Sequence, residues 1–461
     1  MKKNFEDILQ KIEKYRIQYN NSLRDILIED IYNQTDIILK DVVNYKKSND
    51  KLMQIEKYMD LFLTSPVGGF LTLIVMLTTV LWITISGAGY ISSFLSSFFE
   101  ILGNYLKNLM ILFKAPEIVI SFLVDGVYRA VSFVVAVMFP PMAIFFPLFT
   151  LLEDWGLLPR VALNMDRIFK VVGAHGNQAL TMMVGFGCNA AGVISTRIIK
   201  SPKERLIAIL TNNFIPCNGR WPLLIMISVL FIAPILSTST NTLLTSIISS
   251  LSLVLAVSIG IFFTLLISFG LSRTLKSLGS FYILEIPPFR KPNILRVLYT
   301  SFIDRTIFVL ARAVKMSIPA GIFIWTINYF GISKDLINFF DSFGKIFGLD
   351  GVIILTYIIA LPANEIVIPA MLMLYANTKE LLDIEELNSI YQILTVYGNW
   401  DWKTAINVML FSILHNPCTT TLLSIYNETK SIKWTVLSFI LPLLTAFSTL
   451  FILNHFVFKF I

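Results

Sequence analysis

Residues Trp221–Ser272 read WPLLIMISVLFIAPILSTSTNTLLTSIISSLSLVLAVSIGIFFTLLISFGLS, 52 positions in a row without a charged side chain. A helix needs about 20 mainly apolar residues to cross the hydrocarbon core of a bilayer. The stretch is long enough for two such helices, with a turn predicted around Ser237–Asn241, where small polar residues cluster. A soluble core has no use for so long an apolar run, so the fold class is all-α and membrane-embedded.

The rest of the chain agrees. Leu61–Phe99 adds 39 uncharged residues, with a first span predicted at 67–90. An amphipathic helix over 91–114, carrying Glu100 and Lys107, is predicted to lie at the interface. A second span is predicted over Ala130–Leu152, kinked or broken at Pro140-Pro141. Further apolar segments fall at Val171–Thr196, Met316–Ser333, Gly351–Thr378, Thr404–Asn427 and Trp434–Phe458, eight or nine in all. Of the 461 residues, 55% are hydrophobic and 15% charged, against about 25% charged in an average soluble domain. That balance excludes a disordered chain and an ordinary cytosolic enzyme, and three cysteines exclude a disulfide framework.

Charge is unevenly placed. Residues 1–60 hold 11 basic and 11 acidic side chains, while the other 401 carry the whole net charge of +7. A charged helical segment, 1–60, is therefore predicted ahead of a membrane body, 61–461. No apolar stretch follows the early lysines, so no signal peptide is read there. The pI near 9.1 reads as basic membrane-flanking loops and not as nucleic-acid binding. Loops 197–205 and 273–305 are basic and predicted cytoplasmic, whereas 379–401 is acidic and predicted external. Simple alternation conflicts with that assignment unless 351–378 enters and leaves on one face. Pro362 and Pro369 divide this segment into two short apolar pieces, as such a break requires.

Motifs of soluble enzymes are missing. The sequence has no G-x-x-x-x-G-K-[ST] phosphate loop, no His-Glu-x-x-His and no Cys-x-x-Cys. Three short regions carry chemistry instead. In Gly185-Phe186-Gly187-Cys188-Asn189-Ala190-Ala191-Gly192, glycines and an asparagine interrupt an apolar stretch. Irregular backbone at membrane depth lines a cavity or is buried in protein; a small-residue helix-packing face would look the same. In Pro362-Ala363-Asn364-Glu365, Glu365 is the only charge in 28 residues. Intramembrane carboxylates face a partner or a water-filled path; pairing with an arginine near the interface is the alternative. Pro216-Cys217 and Pro417-Cys418 repeat a dipeptide in which proline frees a carbonyl one turn back and cysteine offers sulfur to a borderline cation. His415 and Cys418, three apart, are predicted to share a helix face. A lone cysteine is most often a small buried hydrophobe, but all three cysteines of this chain lie in broken segments.

These residues resemble the membrane domain of the ferrous iron transport protein B family. The resemblance rests on Asp125-Gly126-Val127, Leu152-Glu153-Asp154 through Arg160, Met165-Asp166-Arg167, Gly185 to Asn189 and Thr196-Arg197. It continues through Glu285-Ile286-Pro287-Pro288-Phe289-Arg290, Pro417-Cys418, Thr421-Leu422, Glu428-Thr429 and Lys433-Trp434. It runs in consistent order over roughly residues 20–461. It implies two gate (nucleoside-recognition) repeats, at about 135–235 and 315–425, with broken or re-entrant helices. It also implies that the chain starts at the family's connecting helices, without the N-terminal GTPase domain. Departures are Asn364 where the family has lysine, Pro216-Cys217-Asn218-Gly219-Arg220 for Ser-Cys-x-Ala-Arg, Ala190-Ala191 for Val-Pro, and His415 for an aromatic residue.

The implied function is transport of Fe²⁺ across a bacterial cytoplasmic membrane by a non-enzymatic, multi-pass protein with a cytoplasmic N-terminus. No permanently bound cofactor is implied; Fe²⁺ is cargo. The implied metal set is Cys188, Cys217, Cys418, Glu365, Asn189 and His415. Expected partners are the lipid bilayer and Fe²⁺, with a separately encoded G protein, a small accessory protein and a second copy of the chain as candidates. The alternatives are a gate transporter of another solute and a non-transporting scaffold of the spore-maturation type.

Overall fold

The computed structural model describes residues 30–35, 37–39, 51–157, 160, 169, 172, 177–199, 201–236, 242–275, 289, 291–376 and 387–459. Among the described residues there are helices, turns and short irregular links but no strand. The chain divides into two compact units, residues 1–59 and 60–461. Most of the amphipathic pattern expected over 5–60 lies outside the described residues; 30–35 and 37–39 are helical.

The second unit opens at the end of α1 (Lys51–Leu63). Ser65 then caps α2 (Pro66–Leu112), its hydroxyl accepting from Gly68 N at 3.0 Å, with Pro66 at the first helical position. At 1.5 Å per residue α2 is about 70 Å long. The expected division into a span at 67–90 and a separate interfacial helix does not occur. Gly87 and Gly89 lie at the expected joint, but a helical glycine costs only about 1 kcal/mol, too little to end a helix packed along its length on its neighbour. That neighbour is α3 (Glu117–Trp155), π-wound over Ser121–Tyr128. It stays helical through Pro140, Pro141 and Pro147 and stops at Gly156, whose φ of 88° suits glycine. Beyond it, Arg160 is 1% exposed, donates to Asp60 Oδ1 (2.6 Å) and Gly156 O (2.6 Å), and stacks on Phe289.

The first repeat comprises α4 (Asn177–Gly187), α5 (Asn189–Ser195), α6 (Pro202–Thr211) and α7 (Trp221–Ile235). Next comes α8 (Thr242–Thr274), which packs on α7. The predicted turn at 237–241 lies outside the described residues. A π-wound stretch joins α9 (Ile294–Tyr299) to α10 (Phe308–Tyr329).

The second repeat follows with α11 (Ser333–Gly344), α12 (Gly351–Ile359), α13 (Val367–Ala376), α14 (Leu387–Gln392), α15 (Trp402–Leu414) and α16 (Thr419–Thr429). The last helix is α17 (Ile432–Ile452). Among the described residues five helices are long and apolar enough to cross a membrane, and a bent pair brings the number to six. The eight or nine hydrophobic segments exceed that number because several are broken into pieces shorter than a span.

Two of those segments turn back on themselves. Residues 333–347 meet α12 at a bend of 108°. Asp350 caps α12 by accepting from Ile353 N (2.7 Å), and its other oxygen accepts from the hydroxyl of Tyr375, near the end of α13. The start of α12 and the end of α13 are thus side by side, so residues 351–376 fold back as a hairpin broken near Pro362. Trp400 Nε1 donates to the same Tyr375 oxygen at 2.8 Å. In the first repeat, α4 packs on both α5 and the turn after it, Thr196–Ile198, so this segment also doubles back.

Candidate metal-transfer site between the broken helices

Each repeat contributes one hairpin tip and one interrupted helix. The first tip is Cys188, extended at φ −154°, ψ 122°; the second is Ala363, extended at φ −151°, ψ 113°. Each precedes an asparagine, Asn189 and Asn364, that starts the returning helix. The α-helical course is interrupted between Thr211 and Trp221, and again between Leu414 and Thr419, each time over a Pro-Cys pair. Proline has no N–H to give and crowds the carbonyl four residues back, so both breaks sit where the sequence puts proline.

The four breaks converge. One cavity of about 50 Å³ is lined by Cys188 and Asn189 from the first tip, and by Pro362–Glu365 from the second. Cys217 and Gly219 line it from the first break, and Cys418, Thr420 and Thr421 from the second. A water needs about 10–15 Å³ by this measure, so there is room for a few waters or a partly hydrated ion. The packing is crossed between repeats. Gly219 of the first break faces Glu365 of the second tip so closely that a Cβ would meet Glu365 Oε1 at 2.5 Å. Conversely, α5, leaving the first tip, packs along α16, leaving the second break.

Five of the six expected residues line this cavity. Cys217 is buried, while Cys188, Cys418 and Glu365 are half-buried. Cys418 Sγ lies 3.3 Å from Thr421 Oγ1. Asn189 is 3% exposed, and its amide nitrogen is best directed at the main-chain oxygens of Gly185 and Ile215 (3.1 and 3.2 Å). The three cysteines form no disulfide. Among the described residues no three His, Cys, Asp or Glu side chains stand close enough together to hold an ion in this geometry.

His415 stands apart. The shared helix face with Cys418 does not form, because His415 ends α15, Cys418 begins α16, and Pro417 keeps the residues between them out of any helix. The ring packs on Tyr357 and Phe411, at centroid distances of 4.8 and 5.8 Å. Its Nδ1 faces the carbonyls of Phe411 (3.1 Å) and Ser412 (2.8 Å) and therefore carries the proton. The cavity lining does not include it. Two features escaped sequence reading. Thr421 supplies a hydroxyl beside Cys418, and Arg220 ties the two breaks together. The signals for Arg220 were its match to the arginine of the Ser-Cys-x-Ala-Arg motif and its place as the last charge before the 52-residue apolar run.

Comparison with known proteins gives the same division of the chain. The family described as nucleoside recognition, Gate, matches residues 135–231 and 310–432, close to the expected repeats. The family described as ferrous iron transport protein B C terminus matches residues 253–304, between them. The Fe(2+) transporter FeoB of Staphylococcus aureus strain MSSA476 is 26% identical over 470 residues, covering 97% of this chain and 66% of its own length. That of Methanocaldococcus jannaschii is 27% identical, covering 87% and 58%. That of Campylobacter jejuni is 26% identical, covering 98% and 75%. The chain thus spans about two thirds of the length of the staphylococcal relative. No solved structure matches it. Together, the helices and the matches identify a multi-pass membrane protein that carries two Gate repeats.

Proposed function

We propose that this chain, whose body carries the Gate repeats and C-terminal segment found in the ferrous iron transport protein B family, moves Fe²⁺ across a bacterial cytoplasmic membrane. The carrying observation is the convergence of Cys188, Cys217, Cys418 and Glu365 on one cavity between four helix breaks. Fe²⁺ accepts thiolate and carboxylate ligands, whereas Mg²⁺ and Ca²⁺ prefer oxygen alone and gain little from three sulfurs. Glu365 supplies fixed negative charge, and Asn189 and Thr421 supply neutral oxygen. A site that must release its ion works with ligands that close one after another and never all at once. His415 acts from behind this set, holding the end of α15. In this reading the chain is the transporter, and a separately encoded G protein acts on it with residues 1–60 as the docking segment. In this reading the basic loops 197–205 and 273–305 face the cytoplasm, as does the N-terminus.

The test is uptake of radioactive iron by cells lacking their own iron importer. The Cys188→Ser/Cys418→Ser double variant, present in the membrane at the wild-type level, should lose most of its uptake, on the order of tenfold or more. Wild-type uptake by that variant would reduce the cysteines to packing residues. Binding of labelled GTP by the purified chain at micromolar affinity would contradict the division of labour.

A further inference from the structure

Behind the cavity lies a charge that cation transport does not call for. Arg220 is 1% exposed, and among the described residues its guanidinium forms no ion pair with a carboxylate. It is held by oxygens instead. Nη1 donates to Asn213 O (2.8 Å) and Ile413 O (2.9 Å). Nη2 donates to Asn213 Oδ1 (3.0 Å), Asn416 O (3.2 Å) and His415 O (3.3 Å). Four of these five oxygens are main-chain carbonyls, and they come from both repeats. Ile413 sits four residues before Pro417, so its carbonyl is one that proline deprives of a helical partner. Asn213, which supplies two of the five oxygens, also donates its amide to His415 O at 2.6 Å, closing the ring of polar groups around the guanidinium.

Unwound carbonyls at helix breaks are where membrane transporters coordinate coupling ions such as Na⁺. Here that kind of oxygen cluster is present, and a side chain fills it. We propose that Arg220 is a tethered cation: its guanidinium occupies an oxygen cage between the two Pro-Cys breaks that would otherwise take a small monovalent cation, so this fold needs no soluble coupling ion there. The shape of the group suits the role. A guanidinium spreads its donors in a plane and reaches oxygens on two separate backbones, while a lysine ammonium concentrates three donors at one point. The charge is permanent, so the two repeats stay fastened at the breaks whatever the ionic medium. Arg220 is a positioning residue, since it touches the backbones that carry Cys217 and Cys418 and does not line the cavity.

The test is thermal unfolding of the detergent-solubilised full chain, read by tryptophan fluorescence at constant ionic strength. The media are choline chloride, sodium chloride, and choline chloride with low-millimolar guanidinium. The wild type should unfold at one temperature in all three. Arg220→Ala should unfold several degrees lower in choline and regain at least half of that loss when Na⁺ or guanidinium is supplied. Arg220→Lys, which keeps a charge in place, should fall between the two and ignore Na⁺. An Arg220→Ala chain as stable as the wild type in choline would overturn the proposal. So would one to which neither added cation brings any recovery, or a wild type that shifts with Na⁺. Should Arg220→Ala fail to fold in every medium, Arg220→Lys decides: indifference to Na⁺ upholds the tethered cation, and stabilisation by Na⁺ refutes it. No arm of this experiment involves iron, so its failure and a failure of iron transport are separate results.

Discussion

At the scale of single residues, the cavity is built from groups that suit no other surroundings in this chain. Glu365 is the only charge in its 28-residue segment, and a carboxylate at membrane depth is costly unless it faces water or a cation. Gln keeps the shape and removes the charge. Glu365→Gln should therefore insert and fold as the wild type does, yet lower iron uptake on the order of tenfold; unchanged uptake would take Glu365 out of the transfer site. Gly219 offers a finer probe. A Cβ there would sit 2.5 Å from Glu365 Oε1, the free end of a flexible side chain. Gly219→Ala should push the carboxylate aside at a modest cost of about 1 kcal/mol. The expected result is near-normal thermal stability with a clear loss of uptake. A collapse of stability would mean that Glu365 is held rigidly and not poised to move. His415 teaches the opposite lesson. Its chemistry fits a metal, but its ring packs on Tyr357 and Phe411 and its Nδ1 proton is committed to the backbone. Residue type alone could not reveal this, because the direction of a side chain at a helix break depends on where the helix ends.

At the scale of elements, the legible signals were those that backbone chemistry enforces locally. Pro216, Pro362 and Pro417 each lie at a break in the structure, and the glycine-flanked Cys188 marks the first tip. Pro140, Pro141 and Pro147 lie inside an unbroken helix. The difference is packing: α3 is pressed between α2 and α10 and keeps its course, while the breaking prolines adjoin a cavity where freed carbonyls find other partners. The length of α2 was illegible for a related reason. Charges at Glu100 and Lys107 suggested an interfacial helix, but nothing in a one-dimensional pattern says whether two helices are joined. The doubling back of 351–376 was legible only indirectly, through loop charges, and its fastening is now visible. Tyr375 donates to Asp350 and accepts from Trp400. Tyr375→Phe removes a hydrogen bond to a carboxylate and strands the indole N–H, a loss of about 2 kcal/mol. Thermal unfolding in detergent should shift accordingly, while Asp350 goes on capping α12. Single cysteines at Lys345 and Glu380 should both react with an impermeant maleimide from the same side of the membrane. Reaction from opposite sides would exclude re-entrance.

At the scale of the whole molecule, the two repeats meet twice along one pair of helices. At their N-termini, α5 and α16 reach the cavity with Cys188 and Cys418. Away from it they are fastened by a small apolar cluster of Val193, Ile209 and Ile425. Over that cluster Glu428 binds two arginines of the first repeat, Arg197 through Nε (3.0 Å) and Nη2 (2.6 Å), and Arg205 through Nη2. The carboxylate is 4% exposed and Arg197 66%, so the pair is half in solvent and its strength is discounted for screening. The apolar cluster is small, so the ion pair adds to how tightly this end is closed. Because α5 and α16 are only seven and eleven residues long, loosening one end is felt at the other. Glu428→Gln should therefore loosen this end and raise the rate at which a membrane-permeant maleimide modifies Cys188 and Cys418, by up to roughly tenfold if opening limits the reaction. High salt should produce part of the same acceleration in the wild type, since it screens the exposed Arg197, and should add little in Glu428→Gln, where the carboxylate is already gone. Equal modification rates in the two proteins at low salt would mean that the repeats are held together at the breaks alone, with the Glu428 pair as surface decoration.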